Sequence, residues 1–435
     1  NIYGTGGQFL PWWEAAWRWI SGSGSGFPVV GWAEGFLLRP GLTAYAAGYL
    51  GLLAVLRYSP IGRVVSLKTL LLAAAVVGLP ILLMPYLMSS DVFDYGSYAR
   101  LAVLYKSNPY MSSISEYPLD AFYDVTCWKS TPSVYGPVWT MLSILLIVVS
   151  QALGGSVGVY LLLLKSSMFA FQLVSGALIW KTLEQARVPD RAFRTAIFLF
   201  NPIVMMEFPG NGHNEAMMIA LLLGGILLDQ RGRWALATLC FTAAVQTKFY
   251  CLPAFCLYVA FRCWKADSVT HALRRFAALW LVFGAFSLVL YLPFGVTATT
   301  ILAPFYGPSG DSMTKSLSDY LASGTSVRLD DLPVIGILFR GYTPQDLQRI
   351  ALLATFAACA GGAFYARSLS RAVTAMGFYA LVWCVIGATW FMPWYVTLVV
   401  AFIPLTRSAA VGWASATLSF TVFFIHLLEL SLIHI

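Results

Sequence analysis

The stretch SLKTLLLAAAVVGLPILLMPYL, residues 66–87, determines the fold class. Its only charged residue, Lys68, stands near the start, and the mostly apolar run that follows has about the 20 residues that a helix needs to cross a bilayer. Directly after it comes MSSDVFDY, residues 88–95, with two carboxylates at the end of the apolar run. The sequence therefore predicts a transmembrane helix that ends at an acidic boundary.

Similar apolar segments recur along the chain and predict an all-α, polytopic membrane protein of about 11 to 13 transmembrane helices. Of the 435 residues, 59% are hydrophobic and 11% are charged, with a mean hydropathy of +0.74. Soluble domains carry roughly a quarter charged residues, so lipid must be the main solvent of this chain. The candidate segments are 40–56, 66–87, 137–153, 157–180, 195–208, 216–229, 233–247, 249–263, 275–293, 347–366, 372–390, 394–406 and 411–428.

Charge distribution predicts the orientation of these helices. Six short connections hold 16 of the 27 Lys and Arg residues but only four of the 19 Asp and Glu residues. Two long loops, 88–136 and 294–346, have ten acids against six bases. Because Lys and Arg accumulate in cytoplasmic loops, the long loops are expected on the extracytoplasmic side. The net charge of +8 thus reflects topology, and nucleic acid is not an expected partner.

Two parts of this single transmembrane module depart from the simple pattern. Residues 1–39 carry four tryptophans before a Gly/Ser run, which predicts an interfacial helix followed by a flexible link. Between the outer loop 88–136 and the basic connection at Lys181, only one full crossing fits the topology. One of the two apolar segments there is therefore expected to be broken, re-entrant or interfacial, and the shorter one, 137–153, is the better candidate.

The first polar cluster begins at Asp91, at the expected boundary between water and lipid. Ser89-Ser90-Asp91 is also a helix N-cap pattern, and Asp94 would complement the helix dipole three positions later. Helix capping alone would explain both carboxylates. Capping and catalysis are compatible, because a cap fixes the direction of a carboxylate. Further candidates in the same loop are Tyr95, Arg100, Lys129 and Tyr135.

A second polar stretch, NPIVMMEFPGNGHNE at residues 201–215, interrupts an apolar segment on the same expected face. Polar residues at the membrane edge are costly and by default indicate function. The alternative is that His213 and Asn214 only satisfy backbone groups freed by the break. No second His follows at metal-ligand spacing, and the seven cysteines form no C-x-x-C pair, which argues against a zinc site. The candidates here are Asn211, His213, Asn214 and Glu215.

Lys248 and the pair Trp394 and Tyr395 map to the outer face as well. Lys248 could instead extend to lipid headgroups, as could Lys165 within its apolar run. An aromatic belt would explain Trp394 and Tyr395. Three polar features, at Asp91, His213 and Lys248, nevertheless converge on one face, which membrane architecture alone does not require.

In their order along the chain, these motifs resemble the GT-C superfamily of glycosyltransferases that use polyprenyl-phosphate sugars. Within it, the chain is most similar to bacterial polyprenol-phosphomannose-dependent α-1,6-mannosyltransferases. Each motif alone is weak, whereas the ordered set, from roughly Met84 to Leu405, is fairly specific. The matching pieces are Ser89 to Tyr95, Asn108 to Tyr110, Thr131 to Trp139, Asn201-Pro202, Gly212 to Met218, Ala244 to Lys248 and Pro393 to Tyr395.

The resemblance implies an active site on the extracytoplasmic side of a bacterial plasma membrane. It implies a polyprenyl-phosphate sugar donor, in the first place mannose, and a glycan or glycolipid acceptor. The acidic residue of the first outer loop, here Asp91, would be the catalytic base. Asp94 stands where the relatives have Ser, so it is either an extra carboxylate or the working one, and Glu215 replaces an Asp.

Single displacement at a sugar carbon needs a carboxylate that accepts the proton of the attacking hydroxyl, and cations near the departing phosphate. No cofactor is required, although a divalent metal beside Asp91, Asp94 and Glu215 is compatible with this chemistry. The candidates for the phosphate are Lys248, His213, Arg100 and Lys129, and those for the sugar and acceptor cleft are Tyr95, Tyr135, Asn211, Asn214, Trp394 and Tyr395.

A transporter or lipid flippase is the alternative from another class, because broken helices with polar residues suit transport. The sequence shows no internal inverted repeat, and its polar features collect at one face, whereas transport needs polar groups along a two-sided path. A non-catalytic scaffold is a third reading. It requires the carboxylates to face lipid or to be used up by capping.

Overall fold

A computed structural model describes residues 39–84, 89–302, 344–388 and 391–429, and every regular element within these ranges is helical. The all-α expectation is confirmed. The α-helices are α1 Arg39–Tyr58, α2 Ile61–Val64, α3 Leu67–Leu83, α4 Asp91–Leu104, α5 Pro137–Ala152, α6 Val157–Gln185, α7 Arg191–Leu199, α8 Pro202–Met205, α9 Glu215–Gln230, α10 Trp234–Val245, α11 Leu252–Trp264, α12 Val269–Tyr291, α13 Ala298–Leu302, α14 Pro344–Tyr365, α15 Leu369–Val382, α16 Val396–Phe402 and α17 Ala409–Glu429.

The chain forms two compact units, and the expected single transmembrane module stays a prediction. Within the described residues, the first unit comprises 39–84, 89–251, 279–302 and 421–429. The second comprises 252–278, 344–388 and 391–420. All of the polar clusters singled out above lie in the first unit except Trp394 and Tyr395, which lie in the second.

The long helix α6 organises the first unit, because it packs against α3, α5, α7 and α9. It begins at Ser156, whose side chain accepts a hydrogen bond from the Val159 N–H at 3.2 Å. The buried residues of α6 lie on several sides of the helix. Because a helix that packs on several sides has no side that faces water, α6 has no polar face. In addition, α4 packs on α5, and α9 packs on α10.

The second unit, taken by itself, is built from α11, α14, α15 and α16. Helix α15 contacts each of the other three. It begins at Ser368, which caps the Arg371 N–H, and it ends in a π-helical turn, Trp383–Gly387. Trp394 and Tyr395 follow in a 3-10 turn, Pro393–Tyr395, where the Tyr395 ring lies 5.0 Å from the Trp383 ring.

The protein is a polytopic helical membrane protein. Within the described residues, three helical segments are long and apolar enough to cross a membrane: Val157–Gln185, Val269–Phe294 and Leu369–Gly387. Seven shorter apolar helices accompany them. Only Leu279 and Tyr291 are buried on α12, so its many exposed apolar side chains need lipid as their solvent.

Most of the expected spans coincide with helices. Three segments differ from the expectation in their continuity. Segment 137–153 forms an unbroken helix, α5, so a break within it is wrong, while an interfacial or re-entrant placement stays a prediction. Segment 195–208 is divided into α7, α8 and the start of a π-helical turn. Segment 372–390 ends in another such turn. The expectations for residues 1–38 and for most of loop 294–346 lie outside the described residues.

Candidate active site

Asp91 is the first residue of α4, and its side chain is partly exposed. Ser90 precedes the helix but makes no side-chain cap, and the Asp91 N–H donates to Ser89 Oγ at 3.3 Å. A carboxylate in the first turn is favoured by the helix dipole. Asp91 therefore belongs to the first turn rather than to the capping position, and capping does not use up its carboxylate.

Asp94 lies one turn later, and its side chain is buried. Its Oδ1 accepts a hydrogen bond from the Trp128 N–H at 3.0 Å, which joins α4 to the far part of the long loop. Burial raises the pKa of the Asp94 carboxyl to about 8; the Trp128 hydrogen bond opposes this rise and the charge of Asp91 adds to it. The two carboxyls of the DVFD motif thus have different surroundings.

The polar stretch after α8 forms a π-helical turn, Met206–Gly210, that brings four polar side chains together. The Asn211 side-chain N–H donates to Glu207 Oε2 at 2.8 Å, and His213 Nε2 lies 3.3 Å from the same oxygen. On its other side, His213 Nδ1 lies 3.3 Å from the hydroxyl oxygen of Tyr95 on α4. The break therefore does more than satisfy its own backbone, because it joins the two polar clusters.

Gly212 gives this turn its shape. Its φ of +77° lies in the left-handed region, which favours glycine over residues with a Cβ. The backbone is held further by the N–H of His213, which donates to the Glu207 carbonyl at 2.9 Å. The turn thus fixes the position of the His213 ring as well as the direction of Asn214.

Lys248 and Glu215 form a buried ion pair at the start of α9. The Tyr250 hydroxyl also donates to Glu215 Oε1 at 3.3 Å, and the Lys248 ammonium lies 5.6 Å from the centre of the Tyr135 ring. Beside this pair, the Asn214 side chain is fully buried, and neither its amide N–H nor its carbonyl has a hydrogen-bond partner among the described residues. A buried amide without partners is costly and is well suited to receive ligand hydroxyls.

Electrostatics join Asp91 to this ion pair. Burial raises the pKa of the Asp91 carboxyl to about 6; the Lys248 charge lowers it and the Glu215 charge raises it further. Tyr95 on α4 contacts the rings of Tyr135 and Trp139 edge-on, each with centroids 4.9 Å apart. The structure therefore brings most of the expected site into one cluster: Asp91, Asp94, Tyr95, Tyr135, Asn211, His213, Asn214, Glu215 and Lys248.

Two expected phosphate ligands have other contacts. Arg100 is buried in an ion pair with Asp120, its Nε lying 2.9 and 3.0 Å from the two carboxylate oxygens, and its guanidinium stacks 5.0 Å over the Phe122 ring. The Lys129 ammonium lies 4.6 Å from the centre of the Tyr123 ring. Arg100 thus stabilises the fold of the long loop 88–136 in this structure.

Comparison with known proteins identifies the family. The family model described as alpha-(1->6)-mannopyranosyltransferase, N-terminal domain, matches residues 14–264, more than half of the chain and nearly all of the cluster-bearing part. The chain belongs to this family. The membership expected from the ordered motifs is therefore confirmed.

Two curated members of the alpha-(1->6)-mannopyranosyltransferases are similar over part of the chain. A protein of Mycolicibacterium smegmatis is 28% identical over 163 residues, covering 35% of this chain and 27% of its own length. Alpha-(1->6)-mannopyranosyltransferase A of Mycobacterium tuberculosis is 29% identical over 173 residues, covering 38% of this chain and 32% of its own length. The matched stretch thus spans about a third of each relative.

Glu207 and Tyr250 were not among the site residues expected from sequence. Glu207 stands in the apolar run VMMEF, and an acid in such a run is costly unless it has a partner, which is the signal that could have identified it. Tyr250 lies two positions after Lys248, but its contact with Glu215 depends on the fold and leaves no sequence signal. For the metal suggested beside the carboxylates, the described residues contain no group of three or more His, Cys, Asp or Glu side chains that could hold an ion.

Proposed function

We propose that this member of the mannopyranosyltransferase family transfers a mannosyl group from a polyprenyl-phosphate donor to a hydroxyl of a glycan or glycolipid at the outer face of the membrane. The observation that carries the proposal is the position of Asp91, a partly exposed residue in the first turn of α4, whose carboxyl pKa is raised by burial and is affected by the charges of Lys248 and Glu215. Family membership supports the sugar and the reaction class. The excess of basic residues in the short loops supports the outer face.

The proposed reaction is a single displacement with inversion. The carboxylate of Asp91 takes the proton from the acceptor hydroxyl while its oxygen forms a bond to the anomeric carbon. The bond from that carbon to the donor phosphate breaks at the same time, and the electron pair leaves with the phosphate. A β-linked phosphate donor would therefore yield an α-linked product.

Lys248 is the residue that we assign to the departing phosphate, on which negative charge develops. A lysine ammonium has three N–H donors, so its bond to Glu215 is compatible with donation to a phosphate oxygen. The buried amide of Asn214 and the hydroxyl of Tyr250 flank Glu215 and are suited to bind sugar hydroxyls. His213 would act mainly through Tyr95.

The decisive experiment uses the purified full chain in lipid vesicles with radiolabelled polyprenyl-phosphate mannose, and with glucose and arabinose donors in parallel. We expect a new glycosidic product from mannose, and loss of turnover by about a hundredfold to ten-thousandfold in Asp91→Asn. Asp94→Asn is the matched control, because an amide oxygen can still accept the Trp128 N–H, and it should keep most of the activity.

Two results would contradict the proposal. Near wild-type turnover in Asp91→Asn would remove the base, and a loss confined to Asp94→Asn would transfer the role to the second carboxylate. Movement of the labelled lipid across the vesicle membrane without formation of a glycosidic bond would instead favour the transporter.

A further inference from the structure

Glu207, His213 and Tyr95 form a fully buried row of polar side chains next to Asp91. Glu207 Oε2 lies 3.3 Å from His213 Nε2, and His213 Nδ1 lies 3.3 Å from the Tyr95 hydroxyl oxygen. No step of the proposed displacement requires Glu207. Burying a carboxylate there is costly, so its role needs an explanation.

The contacts of Glu207 indicate which nitrogen of His213 carries the proton. Glu207 Oε2 already accepts a hydrogen bond from the Asn211 amide at 2.8 Å, so this oxygen acts as an acceptor. The 3.3 Å contact between this oxygen and Nε2 is electrostatic and lacks hydrogen-bond geometry, but a negative oxygen at that distance favours an N–H at Nε2 over one at Nδ1. In a neutral imidazole the other nitrogen, Nδ1, is then an acceptor, and the Tyr95 hydroxyl donates to it.

The direction of this hydroxyl matters because Tyr95 stands four positions after Asp91 on α4. Side chains at this spacing are neighbours on one helix face, and the charge of Asp91 acts on the Tyr95 hydroxyl. A tyrosine that donated to the Asp91 carboxylate would stabilise its ionised form and lower its basicity. It would also occupy an oxygen that must accept the proton of the attacking hydroxyl.

We propose that Glu207 is a positioning residue that keeps the proton of His213 on Nε2, so that the Tyr95 hydroxyl donates to His213 and leaves the Asp91 carboxylate to the acceptor. This inference rests on the proposed function, and it concerns an interaction with the base rather than with the substrate. The π-helical turn holds the two groups together, because the His213 N–H also bonds to the Glu207 carbonyl at 2.9 Å.

The first test is the tautomer of His213, measured by nitrogen NMR on the full chain in lipid nanodiscs with labelled histidine. The chain has only four histidines, so a His213→Gln sample identifies the signal. In the wild type we expect a protonated Nε2 and an unprotonated Nδ1. Tyr95→Phe should keep this tautomer, because Glu207 sets it, and Glu207→Leu should lose it.

The second test is a double-mutant cycle on kcat with Glu207→Leu and Tyr95→Phe. Because both residues act through His213, Glu207→Leu should lower kcat by about tenfold in the wild type but by less than about twofold in Tyr95→Phe. The KM for the donor should be unchanged. The matched control is Gln172→Leu, which removes another fully buried polar side chain of the same unit, bonded to the Leu199 carbonyl at 2.9 Å; its effect should be the same in both backgrounds.

The outcomes separate this inference from the proposed function. A wild-type His213 protonated at Nδ1 overturns the inference. So does a double-mutant cycle in which Glu207→Leu lowers kcat by the same factor with and without Tyr95→Phe. If Glu207→Leu fails to fold, the wild-type and Tyr95→Phe spectra still decide the tautomer. If the wild type transfers no sugar, the proposed function fails, and the spectra test the role of Glu207 on their own.

Discussion

Asp91 is a partly exposed residue at the first turn of α4, whereas Asp94 is buried and its carboxyl accepts a hydrogen bond from the Trp128 N–H. A general base must be ionised and must reach the proton that it removes. The raised pKa of Asp94, about 8, keeps that carboxyl protonated at neutral pH, while a pKa of about 6 leaves Asp91 ionised. These properties support Asp91 as the base and give Asp94 a structural role in joining the loop to the helix.

The pH dependence of turnover follows from the raised pKa of Asp91. Because the ionised form is the active one, kcat/KM should be level above about pH 6 and should fall about tenfold per pH unit below it. The measurement is the initial rate at low donor concentration between pH 4.5 and 8, with buffers of constant ionic strength. A rate that stays level down to pH 4.5, as the ordinary carboxyl value of 3.8 would give, would contradict the assigned environment.

The Lys248–Glu215 pair has a prediction of its own. Lys248→Met leaves a fully buried carboxylate without its cation, so it should lower the free energy of unfolding by about 3 kcal/mol. Lys248→Met combined with Glu215→Gln should recover much of that stability, because no unpaired charge is then buried. Thermal unfolding in detergent measures both.

The kcat/KM for the donor in the double variant distinguishes a role of Lys248 in catalysis from a role in stability alone. The stable double variant should still show a lower kcat/KM for the proposed polyprenyl-phosphate donor, because the cation that we propose for its phosphate is missing. An unchanged donor titration in that variant would show that Lys248 only neutralises Glu215.

At the scale of single residues, the sequence indicated Asp91, His213 and Lys248 as candidate site residues, because polar residues stand out at the ends of apolar segments. It did not reveal that Arg100 pairs with Asp120, since partners 20 positions apart meet only through the fold of the loop. The same reason applies to Glu207, whose direction depends on a π-helical turn. The fold, and not the residue type, decided which cations face the cluster.

At the scale of elements, the start of α5 is packed tightly against the segment that leads to Lys248. The Val138 N–H donates to the Gln246 carbonyl at 3.0 Å, and a Cβ on Gly136 would lie 2.0 Å from that carbonyl oxygen. Gly136 precedes Pro137 and is extended, as residues before proline prefer. The close contact between the end of loop 88–136 and the segment around Gln246 therefore requires a glycine at position 136.

Gly136→Ala should lower stability by about 1 to 3 kcal/mol, because the added methyl group would meet backbone atoms that cannot rotate away. It should also reduce kcat, since the displaced segment carries Lys248. The control is Gly284→Ala on α12, where no atom of the described residues lies within 4 Å of the new Cβ and alanine favours the helix. Equal melting temperatures for the two variants would contradict the close approach.

Apolar length predicted α3, α5, α6 and α9 nearly to their ends, because each is a continuous helix. It failed between residues 195 and 208, where α7 ends at Leu199, α8 begins at Pro202 and a π-helical turn begins at Met206. The count of membrane crossings predicted that segment 137–153 is broken, re-entrant or interfacial. The break is not present, because α5 is a regular helix. Hydropathy measures preference for lipid, and it contains no information on how a segment enters or leaves the membrane.

At the scale of the whole molecule, the orientation in the membrane can be tested through Cys127. This cysteine is exposed and lies beside Trp128, whose N–H bonds to Asp94. We expect a membrane-impermeant maleimide to label it in intact cells, because the excess of Lys and Arg in the short loops predicts that loop 88–136 lies outside. The label is detected by a mass shift on a denaturing gel.

The control for this labelling is Arg231→Cys in a Cys127→Ser background. Arg231 is exposed in a basic connection between α9 and α10, so the new cysteine should react only after the membrane is permeabilised. Labelling of Arg231→Cys in intact cells, with Cys127 protected, would invert the topology and place the cluster on the cytoplasmic side.

Composition was sufficient to predict a lipid-embedded, all-helical chain, because so few charged residues cannot cover a soluble surface. The ordered motifs were sufficient to predict the family. The division into two units could not be predicted, because it depends on which helices pack together, and apolar helices in lipid carry no strong sequence signal for their neighbours.

The π-helical turn Met206–Gly210 makes the cluster sensitive to chain length. A π turn holds more residues than an α turn, and such turns are frequent at functional sites. Removing a single residue there would break the hydrogen bonds that the Asn211 N–H donates to the Met206 carbonyl and the His213 N–H donates to the Glu207 carbonyl, which hold the turn in place. His213 would then turn away from Tyr95, so this short stretch should tolerate conservative replacement far better than deletion.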